Sequence, residues 1–117
     1  MGLFDIFKGK KADDYASLSA EQKREMIEQG KLQPLYLIGL RFGGSERADN
    51  FVYAPADAVR KKDRVDDELE QLMLAGRAVK GLHVTPSYKG KCSIPTGIRI
   101  SALIDGSEEF VRVIDIW

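Results

Sequence analysis

The stretch from Pro55 to Ala75 constrains the fold of this chain more than any other. It holds no glycine or proline after its first residue, and Gly76 follows it, which is the usual arrangement for a helix with a defined start and end. Its apolar residues recur at i, i+4, i+7 and i+8, which places them in one stripe: Val65, Leu69, Leu72 and Met73. We therefore expect one long helix over residues 56–75, with this stripe packed against a sheet.

The strands of that sheet are predicted on both sides of the helix. The apolar run 35–40 is typical of a central strand buried on both faces, and the short segment 51–53 is stopped by Pro55. After the helix, apolar residues alternate in three further segments, with a tight turn at Asp105–Gly106 before the last. The predicted strands are 35–40, 51–53, 79–88, 98–104 and 110–117.

These elements predict an α+β fold in the order β-β-α-β-β-β. The simplest arrangement is an antiparallel sheet of about four to five strands with the long helix packed across one face. A helical arm precedes it, and we expect residues 1–31 to form this arm and a surface helix, and residues 32–117 to form a single α+β domain. The surface helix opens with a capping box from Ser19 to Gln22 and closes at Gly30.

Composition excludes several classes of protein. One cysteine permits no internal disulfide, and Cys92 with the single His83 is too small a set for a zinc site. The 18 basic residues balance 18 acidic ones, and no apolar run is long enough to span a bilayer. The first residues contain lysines and aspartate rather than a signal peptide, so we expect a cytoplasmic protein.

No motif for catalysis or for cofactor binding is present. The glycines at 43–44 lack the pattern of a phosphate-binding loop, so a turn is the simpler interpretation. Cys92 is interpreted as a small strand residue, although a pair with His83 is conceivable if their strands are neighbours. We therefore expect that the protein has no enzymatic activity and binds no cofactor and no metal.

Four residues are candidates for binding a partner. Asp66 and Glu70 lie on one side of the predicted helix and could meet a basic partner, while the plainer interpretation is a solvated helix face. The same helix contains two pairs with the i,i+4 spacing of ion pairs, Lys62–Asp66 and Arg64–Glu68. Tyr88 lies within the basic stretch 77–99.

Trp117 is the fourth candidate and ends a segment with apolar residues on both faces, which is more than a half-solvated strand requires. Tryptophan is enriched at binding hot spots. The segment therefore predicts self-association or protein binding through the C-terminal half, and the alternative is that Trp117 covers the protein's own core.

Short motifs resemble a group of small uncharacterised bacterial proteins, some of which accompany polymorphic toxins as accessory or immunity-type partners. The motifs are Leu35–Ile38, Phe42–Ser45, Val52–Pro55 and Ile116–Trp117. The resemblance implies a bacterial protein that binds another protein, and it transfers no site residues.

Three hypotheses follow. The first is a non-enzymatic protein-interaction module that binds a protein partner or itself. The second is a small-molecule-binding protein or minor enzyme with a pocket between helix and sheet. The third is a peripheral membrane or nucleic-acid-associated protein. For nucleic-acid binding, the basic stretch 77–99 carries five cations but one aromatic residue. For membrane binding, the sole candidate is the Leu3–Phe7 arm, which resembles the start of aurein-type membrane peptides.

Overall fold

The computed structural model describes residues 15–117, and the predicted arm at Leu3–Phe7 lies outside that part of the chain. After a short helix α1 the elements follow in the predicted order, which confirms the α+β class and the long helix. Their bounds are α1 Ala20–Glu28, β1 Leu32–Tyr36, β2 Phe51–Pro55, α2 Ala56–Leu74, β3 Val79–Ser87, β4 Gly97–Ile104 and β5 Glu108–Asp115.

The five strands form two antiparallel sheets instead of one. Strands β1 and β2 pair as a hairpin, and the other three form a sheet in the order β3-β4-β5. Helix α2 contacts the hairpin and the three-stranded sheet, so one helix covers both. The core between these layers includes Leu35 and Ala54 from the hairpin, Leu69 from α2, and Ile100 from β4.

The prediction that residues 35–40 form a central strand is wrong. Strand β1 ends at Tyr36, and in the two-stranded sheet it has one neighbour. The Asn50 side chain is the physical reason, because its Oδ1 accepts from the Ile38 N–H at 3.0 Å and its Nδ2 donates to the Ile38 carbonyl at 2.9 Å. These side-chain bonds satisfy the backbone that a longer strand would have paired.

Helix α2 confirms the predicted element but only part of the predicted stripe. Val65 and Leu69 are buried as expected, and Leu72 packs against the core. Met73, in contrast, is 47% exposed and lines an open groove with Val79 and Leu82 of β3, so it borders the sheet without being buried. The remaining buried positions of the helix are Ala58, Lys62 and Asp66, which include two charged residues.

A second, smaller core lies at the end of the sheet where the chain terminates. Tyr15, Leu32 and Ile94 are buried there, and Met26 and Ile27 of α1 pack against them. Helix α1 has the predicted capping box, with the Ser19 hydroxyl accepting from the Gln22 N–H, and it contains no buried residue. It is therefore the surface helix that its sequence predicted.

The two hairpins of the three-stranded sheet differ in regularity. Strands β4 and β5 pair without interruption around the predicted turn, where Asp105 (φ 54°) and Gly106 (φ 77°) adopt the left-handed conformation that tight hairpin turns use. Between β3 and β4 the register shifts from Lys80 to His83, at a bulge containing Gly81 with φ 63°. The bulge lets Val79, Leu82 and Val84 all pack on the main core despite their uneven spacing.

Candidate functional site

The candidate site on α2 is built around a buried ion pair. The Lys62 ammonium donates to both carboxylate oxygens of Asp66, at 2.8 and 3.0 Å. The two residues are only 4% and 5% exposed, so the prediction that this charge lies on a solvated helix face is wrong for this pair. Their spacing of four residues places them one turn apart, and the segment after β1 covers them.

Gly39 explains how the covering segment comes so close to the helix. Gly39 is buried, and a Cβ built on it would lie 2.6 Å from the Asp66 Oδ2. A side chain at this position would therefore displace the carboxylate or the backbone. Tyr36 and Leu40 border the same contact and, with Lys62 and Asp66, help to line a cavity of about 200 Å³ between the helix and β1.

Arg41 lies in the loop that covers the buried pair and binds carboxylates on the exposed side of α2. Its guanidinium lies 2.6 Å from Asp67, 3.3 Å from Asp63 and 3.7 Å from Glu70. The hydrogen bond to Asp67 is the main cause that raises the pKa of Arg41. One arginine from the loop is thus held by carboxylates on three different positions of α2, which fixes the loop over the buried pair.

Burial sets the electrostatics of Asp66. Removal of the carboxyl from water raises the pKa of Asp66 above its ordinary value, while the Lys62 hydrogen bond and the nearby charges of Lys62 and Arg41 oppose the shift. An ion pair withdrawn from water in this way can hold a loop in one place.

The structure brings two of the four predicted site residues together and leaves the others apart. Asp66 and Glu70 both lie close to Arg41, one buried and the other partly exposed. Tyr88 follows β3 and is 49% exposed, so its side chain is accessible. The hypothesis that Asp66 meets a partner's basic group stays a prediction, and it would require the covering loop to open.

Trp117 packs in the smaller core. Its ring lies 5.9 Å from the Tyr15 ring, and its Nε1 donates to the Ile94 carbonyl at 3.0 Å. It is nevertheless only partly buried. These contacts are those expected if Trp117 covers the protein's own core, and a further role in partner binding stays a prediction.

Cys92 and His83 have different surroundings. Cys92 lies in the loop between β3 and β4, not in a strand as predicted, and its Sγ donates to the Tyr15 carbonyl at 2.8 Å. His83 is exposed on the outer face of β3, opposite Ser101. Among residues 15–117, no three histidine, cysteine or acidic side chains are grouped so that they could hold a metal ion.

A second candidate site is the outer edge of the three-stranded sheet at β5, called the free edge because no strand among residues 15–117 pairs with it. This strand contains no proline or glycine and pairs with β4 over its full length. The Ile116 N–H donates to the Thr96 carbonyl, on the β4 side, at 2.8 Å. Since backbone groups alternate in direction along an antiparallel strand, the N–H and C=O groups of Glu109, Val111 and Val113 point away from β4.

The opposite edge, at β3, differs in each of these respects. The Ser87 carbonyl accepts from Thr96 at 2.7 Å and so points toward β4, which by the same alternation turns Val84 and Pro86 toward the free edge. Pro86 has no N–H to offer, and the bulge at Gly81 interrupts the strand further back. Proline, bulges and lysines such as Lys80 are devices that keep sheet edges from pairing.

The outer face beside β5 carries exposed apolar side chains. Val113 is 63% exposed, Leu103 is 45% exposed, and Val111 is partly exposed on the same face. Helix α2 packs on the opposite face of the sheet. We call Leu103, Val111 and Val113 the outer strip.

The sequence predicted the C-terminal strand as the binding segment but missed several residues of both sites. Lys62, Arg41 and the outer strip were not among the candidates. Lys62 had a signal, since it lies four residues before Asp66 on the helix. Neither Arg41 nor Gly39 had one, because both reach the helix only through the tertiary fold.

Comparison with known proteins leaves the family open. No protein-family model matches the chain, and no curated protein shows significant similarity to it. In the described part of the chain, neither helix has the length and apolar character needed to cross a membrane.

Proposed function

We propose that this chain is a non-enzymatic protein-interaction module that binds an extended segment of a partner along the free edge of β5. One observation carries the proposal, namely the contrast between an unbroken β5 edge and a β3 edge that is interrupted by a bulge and a proline. An exposed strand edge offers main-chain hydrogen bonds to an incoming strand, and side chains beside it give specificity.

The outer strip supplies that specificity. A strand added to β5 would place alternate side chains next to Val111 and Val113, which are apolar and accessible. The resemblance to small bacterial proteins that accompany toxins agrees with a protein partner, and we propose an immunity-type or accessory role in a bacterial cytoplasm.

Peptide selection followed by hydrogen exchange tests the proposal. A random peptide library displayed on phage is selected against the full chain, and amide exchange is measured with the best binder bound. We expect extended peptides that slow exchange of the Val111 and Val113 N–H groups. Protection confined to β3 or to the helices, with β5 unchanged, would contradict the proposal.

A matched pair of variants separates backbone from side-chain effects. Val111→Pro removes an N–H that points to the free edge, so it should abolish binding of the selected peptides without breaking the β4–β5 ladder. Val111→Thr keeps the N–H and the β-branched shape and should retain most of the binding. Urea unfolding of both variants shows whether each remains folded.

The cavity beside Lys62 and Asp66 favours a second candidate function, a small-molecule site between helix and sheet. It lies between α2 and β1, and two buried charged residues line it. Its volume of about 200 Å³ is below the roughly 300–1,000 Å³ of common ligand pockets. We therefore rank it second, and chemical-shift changes at Lys62 with a small-fragment library would test it.

A further inference from the structure

From the β5 edge we infer that the occupant is a second copy of this chain, paired antiparallel through β5 with Val111 on the two-fold axis. The inference rests on the proposed function, because it names the partner of the same edge. The result would be a continuous six-stranded sheet in the order β3-β4-β5-β5-β4-β3. The order of residues along β5 favours this pairing.

Symmetry restricts the possible registers. A two-fold axis perpendicular to the sheet keeps inner faces with inner faces, so a residue of β5 can oppose only residues of the same face in the second copy. The inner face carries Phe110, Arg112 and Ile114, and the outer face carries Glu109, Val111 and Val113.

With Val111 on the axis, the outward backbone groups meet one another. Val111 faces Val111 of the second copy, and Glu109 faces Val113 on both sides of the axis. These are the residues whose N–H and C=O groups point to the free edge, so each pair can exchange two hydrogen bonds. Arg112 Nη1 already donates to the Val111 carbonyl at 2.8 Å, which leaves that oxygen a second lone pair.

Pairing length and the absence of like-charge contacts favour this register over its two neighbours. With Phe110 on the axis Arg112 would oppose Glu108, but only residues 108–112 of β5 would pair, against residues 108–114 with Val111 on the axis. On the inner face Arg112 would oppose Phe110 of the second copy, and within one chain the Arg112 guanidinium already lies 4.2 Å from the Phe110 ring. A register with Arg112 on the axis would instead oppose two arginines and place Glu109 opposite Asp115. Like charges directly opposite each other destabilise a strand pair.

The outer strip would extend across the interface. Val111 and Val113 of each copy lie next to the axis on the same face, so the two strips would join in the middle of the six-stranded sheet. Burial of these exposed valines supplies an apolar contribution that backbone pairing alone lacks.

Disulfide trapping tests the register directly. In a Cys92→Ser background, which keeps a hydroxyl donor for the Tyr15 carbonyl, Val111→Cys should cross-link under mild oxidation. Cα atoms of a hydrogen-bonded antiparallel pair lie about 5.5 Å apart, within the about 4.4–6.8 Å of disulfides. The control Val113→Cys should not cross-link, because its copies would be four residues, about 13 Å, out of register.

Charge substitution at an exposed position gives an independent readout. Val113 would oppose Glu109 twice, and both substitutions remove the valine, so the Val113→Lys dimer should be tighter than the Val113→Glu dimer by at least roughly 4-fold for two cross-strand pairs. Within one chain Val113 lies opposite Arg99, which predicts the reverse order for monomer stability. Sedimentation equilibrium measures the first effect and urea unfolding the second.

The outcomes separate this inference from the proposed function. A concentration-dependent dimer, cross-linked through residue 111 and tighter with Val113→Lys than with Val113→Glu, supports it. Cross-linking through residue 113, or a dimer that is tighter with Val113→Glu than with Val113→Lys, overturns it by showing another register. A monomer at all concentrations also overturns it, and in that case protection of β5 by a selected peptide still decides the proposed function separately.

Discussion

Two acid–base pairs of helix α2 share one spacing but have opposite surroundings in the structure. Lys62 and Asp66 bond to each other and are buried under the loop after β1. Glu68, four residues after Arg64, bonds instead to Arg112 Nε on strand β5 at 3.0 Å, and both side chains are about half exposed. The spacing permits a local pair in each case, and the neighbouring layer decides whether it forms.

The difference shows where charge matters for stability in this molecule. A surface ion pair contributes about 0–1 kcal/mol because water screens it and the side chains lose freedom. A buried pair is different, since removal of one partner leaves an uncompensated charge out of water. Substitutions in the two pairs should therefore have effects of different size.

The largest effect is expected from Lys62→Met. The substitution keeps the length of the side chain but leaves Asp66 buried without its hydrogen-bonded partner, and we expect a loss of about 3–5 kcal/mol in the free energy of unfolding. Urea denaturation followed by the fluorescence of the single tryptophan, Trp117, measures it.

Two controls accompany that measurement. Lys61→Met makes the same chemical change at an exposed neighbour and should cost little. The double variant Lys62→Met/Asp66→Leu should recover most of the loss, because an apolar pair replaces the stranded charge. Equal effects of Lys62→Met and Lys61→Met would mean that the buried pair does not exist in solution.

A smaller loss is expected from Gly39→Ala. The added Cβ would meet Asp66 Oδ2 at 2.6 Å, so the carboxylate or the loop must move, at a cost of about 1–3 kcal/mol. The loss should shrink in an Asp66→Ala background, where the nearest atom is gone. An additive double-mutant cycle would show that the loop does not pack on Asp66.

The pH dependence of stability should report on Asp66. Burial raises the pKa of its carboxyl, so the folded state binds this proton more tightly than the unfolded state. The corresponding contribution to stability is fully present below the unfolded pKa, about 3.9, and is lost as the pH rises through the folded value. Asp66→Asn does not titrate and lacks this contribution.

Urea unfolding of both proteins between about pH 3 and pH 7 measures the difference. We expect the stability of the natural chain relative to Asp66→Asn to fall as the pH rises through this range. A relative stability that rises with pH would show that Lys62 and Arg41 outweigh burial and lower the pKa.

The smallest effect is expected from Glu68→Gln. Its bond to Arg112 lies at the surface, so we expect a loss of about 0.2–1 kcal/mol that decreases further in high salt. Unfolding in low and high salt measures it. A loss as large as that of Lys62→Met would remove the distinction between the two pairs.

Local patterns predicted most elements and few of the contacts. The order of strands and helices, the capping box at Ser19 and the turn at Asp105–Gly106 were all visible in the sequence, because each depends on residues within a few positions of one another. The end of β1 at Tyr36 was not visible, since Asn50, twelve residues after Ile38, determines it. Met73 borders the sheet but is 47% exposed, because periodicity identifies a stripe but not where the partner layer stops.

The same division applies to the two candidate sites. Sequence alone determined that Lys62 can reach Asp66 and that the C-terminal strand is unusually apolar on both faces, because helix and strand periodicities are properties of the local backbone. Only the tertiary structure decided that Gly39 and Arg41 close over the pair and that β5, not β3, leaves an unbroken edge. Burial and strand order depend on which distant segments become neighbours, and no local pattern contains that information.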